Sequence, residues 1–254
     1  MKSITRKLSL LLLLSATLFM SSCLDSGENS YIGNDEYSFI AQSDLGRVYA
    51  RTAAGYLITS EKISLLTPGS TVLLTYQIDD ATEKVKLDEN TSIYKVMLGK
   101  EPITIGQEPL QLRSAPEEAT PLYFESIIAP PTWITQSSVF FGDRWPFTYQ
   151  YKAKKGETVR VHFYQVPKEE LPENFNADIL IDIRMEKTGT PEADAHEELK
   201  NDIVVANMSA LRNASSNING QEAKQLSVRF RFYRIDSIDR LHISQTPIII
   251  TVKG

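Results

Sequence analysis

Apolar and polar residues alternate with a period of two through most of the second half of the chain. The alternation is clear at 158–166, 178–186, 226–233 and 248–252. Successive side chains of a strand point to opposite faces, so each segment has one face suited to a core and one suited to water. Several such strands in succession predict a β-sandwich.

The first half of the chain also predicts strands, but these are shorter and more closely spaced. The candidates are 37–42, 47–52, 56–59, 71–78 and 92–98, with turns at Gly46, Gly55, Pro68-Gly69 and Asp79-Asp80. Short strands separated by such turns favour a small barrel. The stretch 113–121 is polar, contains proline and has no periodicity, so it is predicted to be a domain linker.

One short helix is predicted between the strands of the second half. Thr190 could cap it, Pro191 would stand at its first position, and acidic residues follow in the first turn. These are start signals of a helix, which would run to about Lys200. The next segment, 203–208, is rich in β-branched residues and is predicted to be a strand.

The N-terminus has the pattern of a lipoprotein signal peptide. Three basic residues precede a mostly apolar run at 8–20, which is too short for a membrane span of about 20 residues. The only cysteine, Cys23, directly follows Met20-Ser21-Ser22, as in a lipobox. We therefore predict that residues 1–22 are removed and that Cys23 is acylated. The alternative is ordinary signal cleavage with Cys23 incidental.

This anchor predicts the compartment. A diacylglyceryl cysteine carries the two chains that stable membrane binding needs. The expected location is the cell envelope of a Gram-negative bacterium, with the protein anchored to the outer membrane. Residues 23–35 are polar and acidic and are predicted to form a flexible tether. Acidic residues after the cysteine resemble a surface-export signal, but a solvated tether also needs charge, so the leaflet stays open.

Charge and composition narrow the choice of partners. The formal net charge is −5, and it becomes about −8 when the three basic residues of the signal peptide are removed. Nucleic-acid binding rests on Lys and Arg contacts to phosphate, so no nucleic-acid partner is expected. With 42% hydrophobic and 23% charged residues, the chain has the composition of a globular protein.

Several stretches resemble the NigD-like lipoproteins. They are the lipobox with its acidic tether, GYLIT at 55–59, LLTPGSTVLLTY at 65–76, IYKV at 93–96 and LSVRFRF at 226–232. The resemblance implies a mostly β fold with at most one short helix. It places an OB-like barrel at 36–112 and an immunoglobulin-like β-sandwich at 122–254. The family is named for a bacteriocin-linked gene cluster and offers no activity or catalytic residue to transfer.

The sequence contains no catalytic or metal-binding motif. His162, His196 and His242 are not spaced as metal ligands, and there is no nucleophile elbow, phosphate-binding loop or dinucleotide fingerprint. We therefore predict no catalytic residues, no metal and no cofactor, and the protein is expected not to be an enzyme.

Aromatic residues are the main candidates for a binding surface. Trp133 and Trp145 lie near turn residues, while Phe147, Tyr149 and Tyr151 alternate along one strand. Two interpretations stay open. The aromatic residues could form the sandwich core, or Trp133, Trp145 and Tyr149 could form an exposed surface for a glycan or partner protein.

Two further features lie near the C-terminus. Arg229, Arg231 and Arg234 would form a basic stripe that could meet an acidic partner or lipid headgroups, although a solvated strand edge explains it equally. Asp236-Ser237-Ile238 fits a short bacterial O-glycosylation pattern, which makes Ser237 a candidate modification site.

Together these features predict a lipid-anchored, non-enzymatic binding or accessory protein of the cell envelope. Its partners would be the membrane, through Cys23, and an unknown envelope protein or glycan. One alternative is an immunity lipoprotein linked to a bacteriocin, which gene neighbourhood or toxin challenge would reveal. Another is a surface carbohydrate-binding lipoprotein, which requires Trp145 to be exposed.

Overall fold

The computed structural model describes residues 30–117, 120–128, 143–211, 224–236 and 241–252. The N-terminal unit is built from one sheet, ordered β5-β6-β3-β2-β1-β4-β7. Its elements are β1 (Tyr31–Gln42), β2 (Val48–Thr52), β3 (Leu57–Thr59), α1 (Glu61–Ser64), β4 (Thr71–Ile78), β5 (Lys84–Lys86), β6 (Ser92–Lys95) and β7 (Ile103–Thr104).

This sheet curls into an OB-like barrel around an apolar interior. Alternate residues of β4, including Val72 and Leu74, pack inward with Ile40 and Ile58. A bridge between Tyr76 and Leu98 joins the segment after β6 back to β4. The small barrel predicted for the first half of the chain is therefore confirmed.

The C-terminal unit is a β-sandwich whose strands run in the order β9-β10-β13-β8-β11-β12-β14-β15, with β16 also paired to β14. The strands are β8 (Gln107–Gln111), β9 (Ser126–Ile128), β10 (Arg144–Lys154), β11 (Glu157–Gln165), β12 (Ile179–Gly189), β13 (Glu197–Asn207), β14 (Lys224–Tyr233), β15 (Leu241–Ile243) and β16 (Ile248–Val252).

Strand β8 connects the two layers of the sandwich. Its first residues pair in parallel with β13, and its last two pair in parallel with β11. The layers meet through aromatic side chains. The ring of Phe147 lies 5.2 Å from Phe163 and 5.1 Å from Phe230, measured between centroids. The predicted sandwich is confirmed.

The predicted helix at 190–200 is wrong. The chain turns there, and from Glu197 it forms β13, which pairs with β10 in unbroken register from Lys154↔Glu197 to Arg144↔Asn207. The capping signals are worth about 1 kcal/mol each, whereas the strand gains a full ladder of hydrogen bonds against a buried neighbour. The strand predicted at 203–208 is confirmed as the end of β13.

Two predicted boundaries are also wrong. Strand β1 begins at Tyr31, which pairs with Ile78, so the last residues of the predicted tether belong to the barrel. Strand β8 lies in the second sheet, so the units divide before Gln107. The predicted linker at 113–121 therefore follows the first strand of the sandwich. A bond from Ser114 Oγ to Glu170 Oε1 (2.7 Å) ties it to that unit.

The two units meet through a few polar and cation–π contacts. Gln107 Nε2 donates to the carbonyl oxygen of Gly69 at 3.0 Å. The guanidinium of Arg144 lies over the Phe39 ring, 4.7 Å from its centroid. Burial at this contact lowers the pKa of Arg144, but an arginine keeps its charge at any physiological pH.

Gly156, in the turn between β10 and β11, is predicted to be intolerant of a side chain. Its φ is +91°, and an added Cβ would lie 2.4 Å from the carbonyl oxygen of Thr190. We expect Gly156→Ala to lower the free energy of unfolding by at least about 1–2 kcal/mol, because left-handed backbone is unfavourable for alanine and the contact is with backbone. Urea unfolding would measure this.

Gly106→Ala is the matched control for that substitution. An added Cβ at Gly106 meets nothing within 4 Å, so this variant should unfold like the wild-type protein. Equal stability of the two variants would contradict the predicted turn geometry.

Candidate functional site

Trp145 and Tyr149 lie in the core of the sandwich. Trp145 is 0% exposed and Tyr149 is 3% exposed. The Trp145 ring packs edge-on against Phe230, and Tyr149 stacks on Tyr151. The proposed exposed aromatic surface is therefore wrong for these two residues. The residues around Trp145 suggest a turn, but Trp145 is in strand β10 and points toward the opposite layer.

Three other candidates lie outside the described residues. They are the lipidation site Cys23, the aromatic residue Trp133 and the modification candidate Ser237. These predictions stay as the sequence made them.

The predicted basic stripe is instead largely an ion-pair network. Asp182, which is 2% exposed, accepts hydrogen bonds from Arg231 Nε (2.5 Å) and Nη2 (2.8 Å) and from Arg184 Nη2 (3.0 Å). The Arg184 guanidinium also lies over the ring of Tyr233, 4.5 Å from its centroid. Hydrogen bonding to Asp182 raises the pKa of Arg231.

The other two arginines of the stripe also have partners. Arg229 Nη2 donates to the carbonyl oxygen of Gln245 at 2.5 Å, and Arg234 pairs with Asp236 at 2.6 Å. The stripe is therefore not an open cationic surface, and its main element is a buried carboxylate held between two guanidinium groups.

Two of the three histidines contact other protein groups, and His196 is exposed. His162 Nε2 lies 2.9 Å from Glu186 Oε2, and the His242 ring packs against Phe232 at 5.2 Å. Across the part of the chain that the structure describes, no three His, Cys, Asp or Glu side chains are grouped closely enough to hold a metal ion.

A tyrosine cluster fills the end of the barrel where strand β1 begins. Tyr31 lies between Tyr56 and Tyr76, with ring centroids 4.8 and 6.0 Å away. The Glu36 carboxylate accepts hydrogen bonds from Tyr76 Oη (2.7 Å) and Tyr31 Oη (3.0 Å). An added Cβ at Gly33 would lie 2.4 Å from the Tyr76 ring, so this packing depends on glycine there.

The Glu36 site is structural rather than catalytic in its geometry. The second carboxylate oxygen of Glu36 accepts a hydrogen bond from the backbone N–H of Ala54 at 2.5 Å, so both oxygens are occupied by protein donors. Burial, with a further contribution from Glu36, raises the pKa of both Tyr31 and Tyr76. Both phenols therefore stay protonated at neutral pH and act as donors.

An open groove lies on the outside of the same barrel end. Its cavity volume is about 470 Å³, and its walls are β1, β4, the last residue of β6 and the segment 96–99 that follows it. Ile32, on β1, is 57% exposed, and Met97, on the opposite wall, is 88% exposed. Leu98 also lines the groove, and its lining includes the polar residues Thr75, Gln77, Asp79, Thr82 and Lys95. We call this feature the Ile32–Met97 groove.

Met97 is also shared with a second concavity of about 520 Å³, lined by α1 residues including Glu61 and Lys62. Its side chain thus stands between two depressions. The segment that carries it is held on both sides, by Val96 N–H to Thr59 O (2.9 Å) and Gly99 N–H to Thr75 O (2.8 Å). An exposed methionine on a segment whose backbone is fixed by hydrogen bonds is suited to contact with an apolar surface.

Sequence reasoning missed this groove. Residues 31–35 show no period of two, so the sequence places them in the tether, and the structure has a register shift between Gly33 and Glu36. Ile32 and Met97 are far apart in sequence, and only the closure of the barrel brings them to one groove. The apolar run Val96-Met97-Leu98 is the feature of the sequence that could have indicated the groove.

No family model matches the chain, and no curated protein matches it in sequence. A solved structure of a protein of unknown function, DUF1344, from Bacteroides vulgatus ATCC 8482 covers 86% of this chain and 92% of its own, with 9% identity and a TM-score of 0.50. An uncharacterized protein from Parabacteroides merdae ATCC 43184 covers 86% and 97%, with 12% identity and a TM-score of 0.52.

These two proteins share the fold of this chain, and at such identities the likeness concerns the fold alone. A NigD-like immunity protein from Bacteroides caccae ATCC 43185 covers 84% of this chain and 92% of its own, with 10% identity. Its TM-score is 0.46.

Among the described residues, no helix combines the length and apolar character needed to cross a bilayer.

Proposed function

We propose that this protein is a lipid-anchored, non-catalytic binding or accessory protein of the Gram-negative cell envelope, held on the outer membrane by acylated Cys23. The observation that carries the proposal is the position of the only cysteine, directly after an apolar run of signal-peptide length. The two β-units supply extended surfaces for a partner.

The absence of a catalytic role is part of the proposal and is supported by the local chemistry. Glu36 and the tyrosines around it satisfy one another, and Asp182 is held by arginines. In both clusters the carboxylate oxygens are occupied by protein donors. A catalytic site needs reactive groups that face a substrate.

Replacing the cysteine tests the anchor. We expect the wild-type protein to fractionate with membranes and the Cys23→Ala variant to be released in soluble form or retained as an uncleaved precursor, because lipidation requires the thiol. Radiolabelled palmitate should label only the wild-type protein. A variant that stays membrane-bound at its mature mass would overturn the proposal.

Protease treatment of intact cells identifies the leaflet. A surface-exposed protein is digested while a periplasmic marker is protected, and this outcome favours a partner outside the cell. Protection until the outer membrane is opened favours a periplasmic partner protein.

A further inference from the structure

We infer that the Ile32–Met97 groove is a membrane-contact face that rests on the lipid surface carrying the anchor. The inference deepens the proposed function and rests on it, because it needs Cys23 to be acylated. It concerns which surface of the protein meets the bilayer and which surface is left for a partner.

The short distance between anchor and barrel is the first argument. Strand β1 starts at Tyr31, so only the seven residues 24–30 separate it from Cys23. The eight steps from Cys23 to Tyr31 span at most about 29 Å when fully extended. An acylated Cys23 therefore keeps the beginning of β1 within about 29 Å of the anchored residue, whatever conformation the connecting residues adopt.

The location of Ile32 is the second argument. It is the second residue of β1, and its side chain points out of the barrel while its neighbour Tyr31 packs inward. Its position next to the tether places it at the part of the barrel that the anchor holds closest to lipid. Ile32 is 57% exposed there, so moving its side chain out of water would lower the free energy.

Met97 extends this apolar surface across the groove. At 88% exposure it is the most exposed large apolar side chain among the described residues. The lysines on either side, Lys95 and Lys100, are about half exposed and pair with Glu83 and Asp35. Long lysine side chains beside an apolar residue suit an interface, because their stems lie along the apolar region while the charged heads stay in water.

Unique labelling sites make the contact measurable. Cys23 is the only cysteine and would be occupied by lipid, so Met97→Cys and Ile32→Cys each introduce one reactive thiol. Leu45→Cys is the matched control. Leu45 is 71% exposed, but it lies in the turn after the far end of β1. The two ends of this strand are at most about 36 Å apart at a rise of about 3.3 Å per residue.

The experiment uses the lipidated full-length mature protein in vesicles of phosphatidylethanolamine and phosphatidylglycerol. Each thiol is labelled with an NBD fluorophore, and some of the vesicles contain a spin-labelled phospholipid as quencher. We expect NBD at positions 97 and 32 to shift its emission to the blue and to be quenched. NBD at position 45 should keep the emission it has in the unlipidated protein in solution.

The possible results separate the two proposals. If the protein floats with the vesicles but labels at 97 and 32 behave like the label at 45, the anchor stands and the membrane-contact face is overturned. If the protein does not float with the vesicles after expression with the lipidation machinery, the proposed anchor itself fails. Equal quenching at all three positions also overturns the inference, since it shows no preferred face.

Discussion

Asp182→Asn is expected to lower the free energy of unfolding of the sandwich by about 3–5 kcal/mol, since removing one partner of a buried ion pair leaves uncompensated charge. Asp182 is 2% exposed and holds both Arg184 and Arg231. Without its charge, the buried guanidinium of Arg184 and the partly buried guanidinium of Arg231 are left beside a neutral amide. Urea unfolding, followed by circular dichroism, measures the loss.

Glu186→Gln is the matched control for this prediction. Glu186 lies on the same strand and pairs with His162, but its side chain is 57% exposed. Exposed pairs contribute about 0–1 kcal/mol, so the variant should unfold near the wild-type midpoint. If Asp182→Asn cost no more than Glu186→Gln, the network would not be the stabilising element described above.

Trp145→Ala is expected to cost about 3–5 kcal/mol of folding free energy, the usual effect of removing a fully buried large aromatic side chain. Trp145 is 0% exposed and packs against Phe230 of the opposite layer. Trp145→Phe should cost less than half as much. Within the described part of the chain the indole Nε1 has no hydrogen-bond partner, so its removal breaks no bond there.

Leu65→Ala provides the comparison for Trp145. Leu65 is 86% exposed, and its truncation should change stability by no more than about 0.5 kcal/mol. If the Trp145→Ala protein were as stable as Leu65→Ala, Trp145 would have to be exposed, and an exposed aromatic site would again be favoured.

The membrane-contact face suggests that one surface of the molecule meets lipid and that other surfaces meet a partner. If the start of β1 rests on lipid, the barrel lies next to the membrane, and the sandwich is attached to the barrel by contacts that include Arg144 with Phe39. We expect a partner to be bound by surfaces that do not belong to the Ile32–Met97 groove. A partner that competes with lipid for Met97 would contradict this division.

Local patterns predicted the strands well where the alternation of residues is regular. The segment 71–78 was predicted with the bounds that β4 has. Strands β11, β12, β14 and β16 of the sandwich were also predicted to within a few residues. The side-chain period of a strand is a property of consecutive residues, so it can be recognised without knowing the partner strand.

Predictions failed where distant parts of the chain decide the structure. Strand β8 pairs with residues of β11 and β13 that are more than fifty positions away, and its short segment shows no clear alternation. The capping signals at Thr190 were real, but pairing of β13 with β10 outweighed them. At β1, the register shift after Gly33 concealed the first residues of the strand.

Short-range patterns along the chain were enough to predict the mostly β fold, the order of barrel and sandwich, and an anchor at Cys23. Contacts between distant residues were needed to show that Trp145 is core, that Arg231 is bound to Asp182, and that Ile32 and Met97 share a groove. Alternation shows which side chains share one face of a strand. What covers that face depends on chain segments that folding brings together.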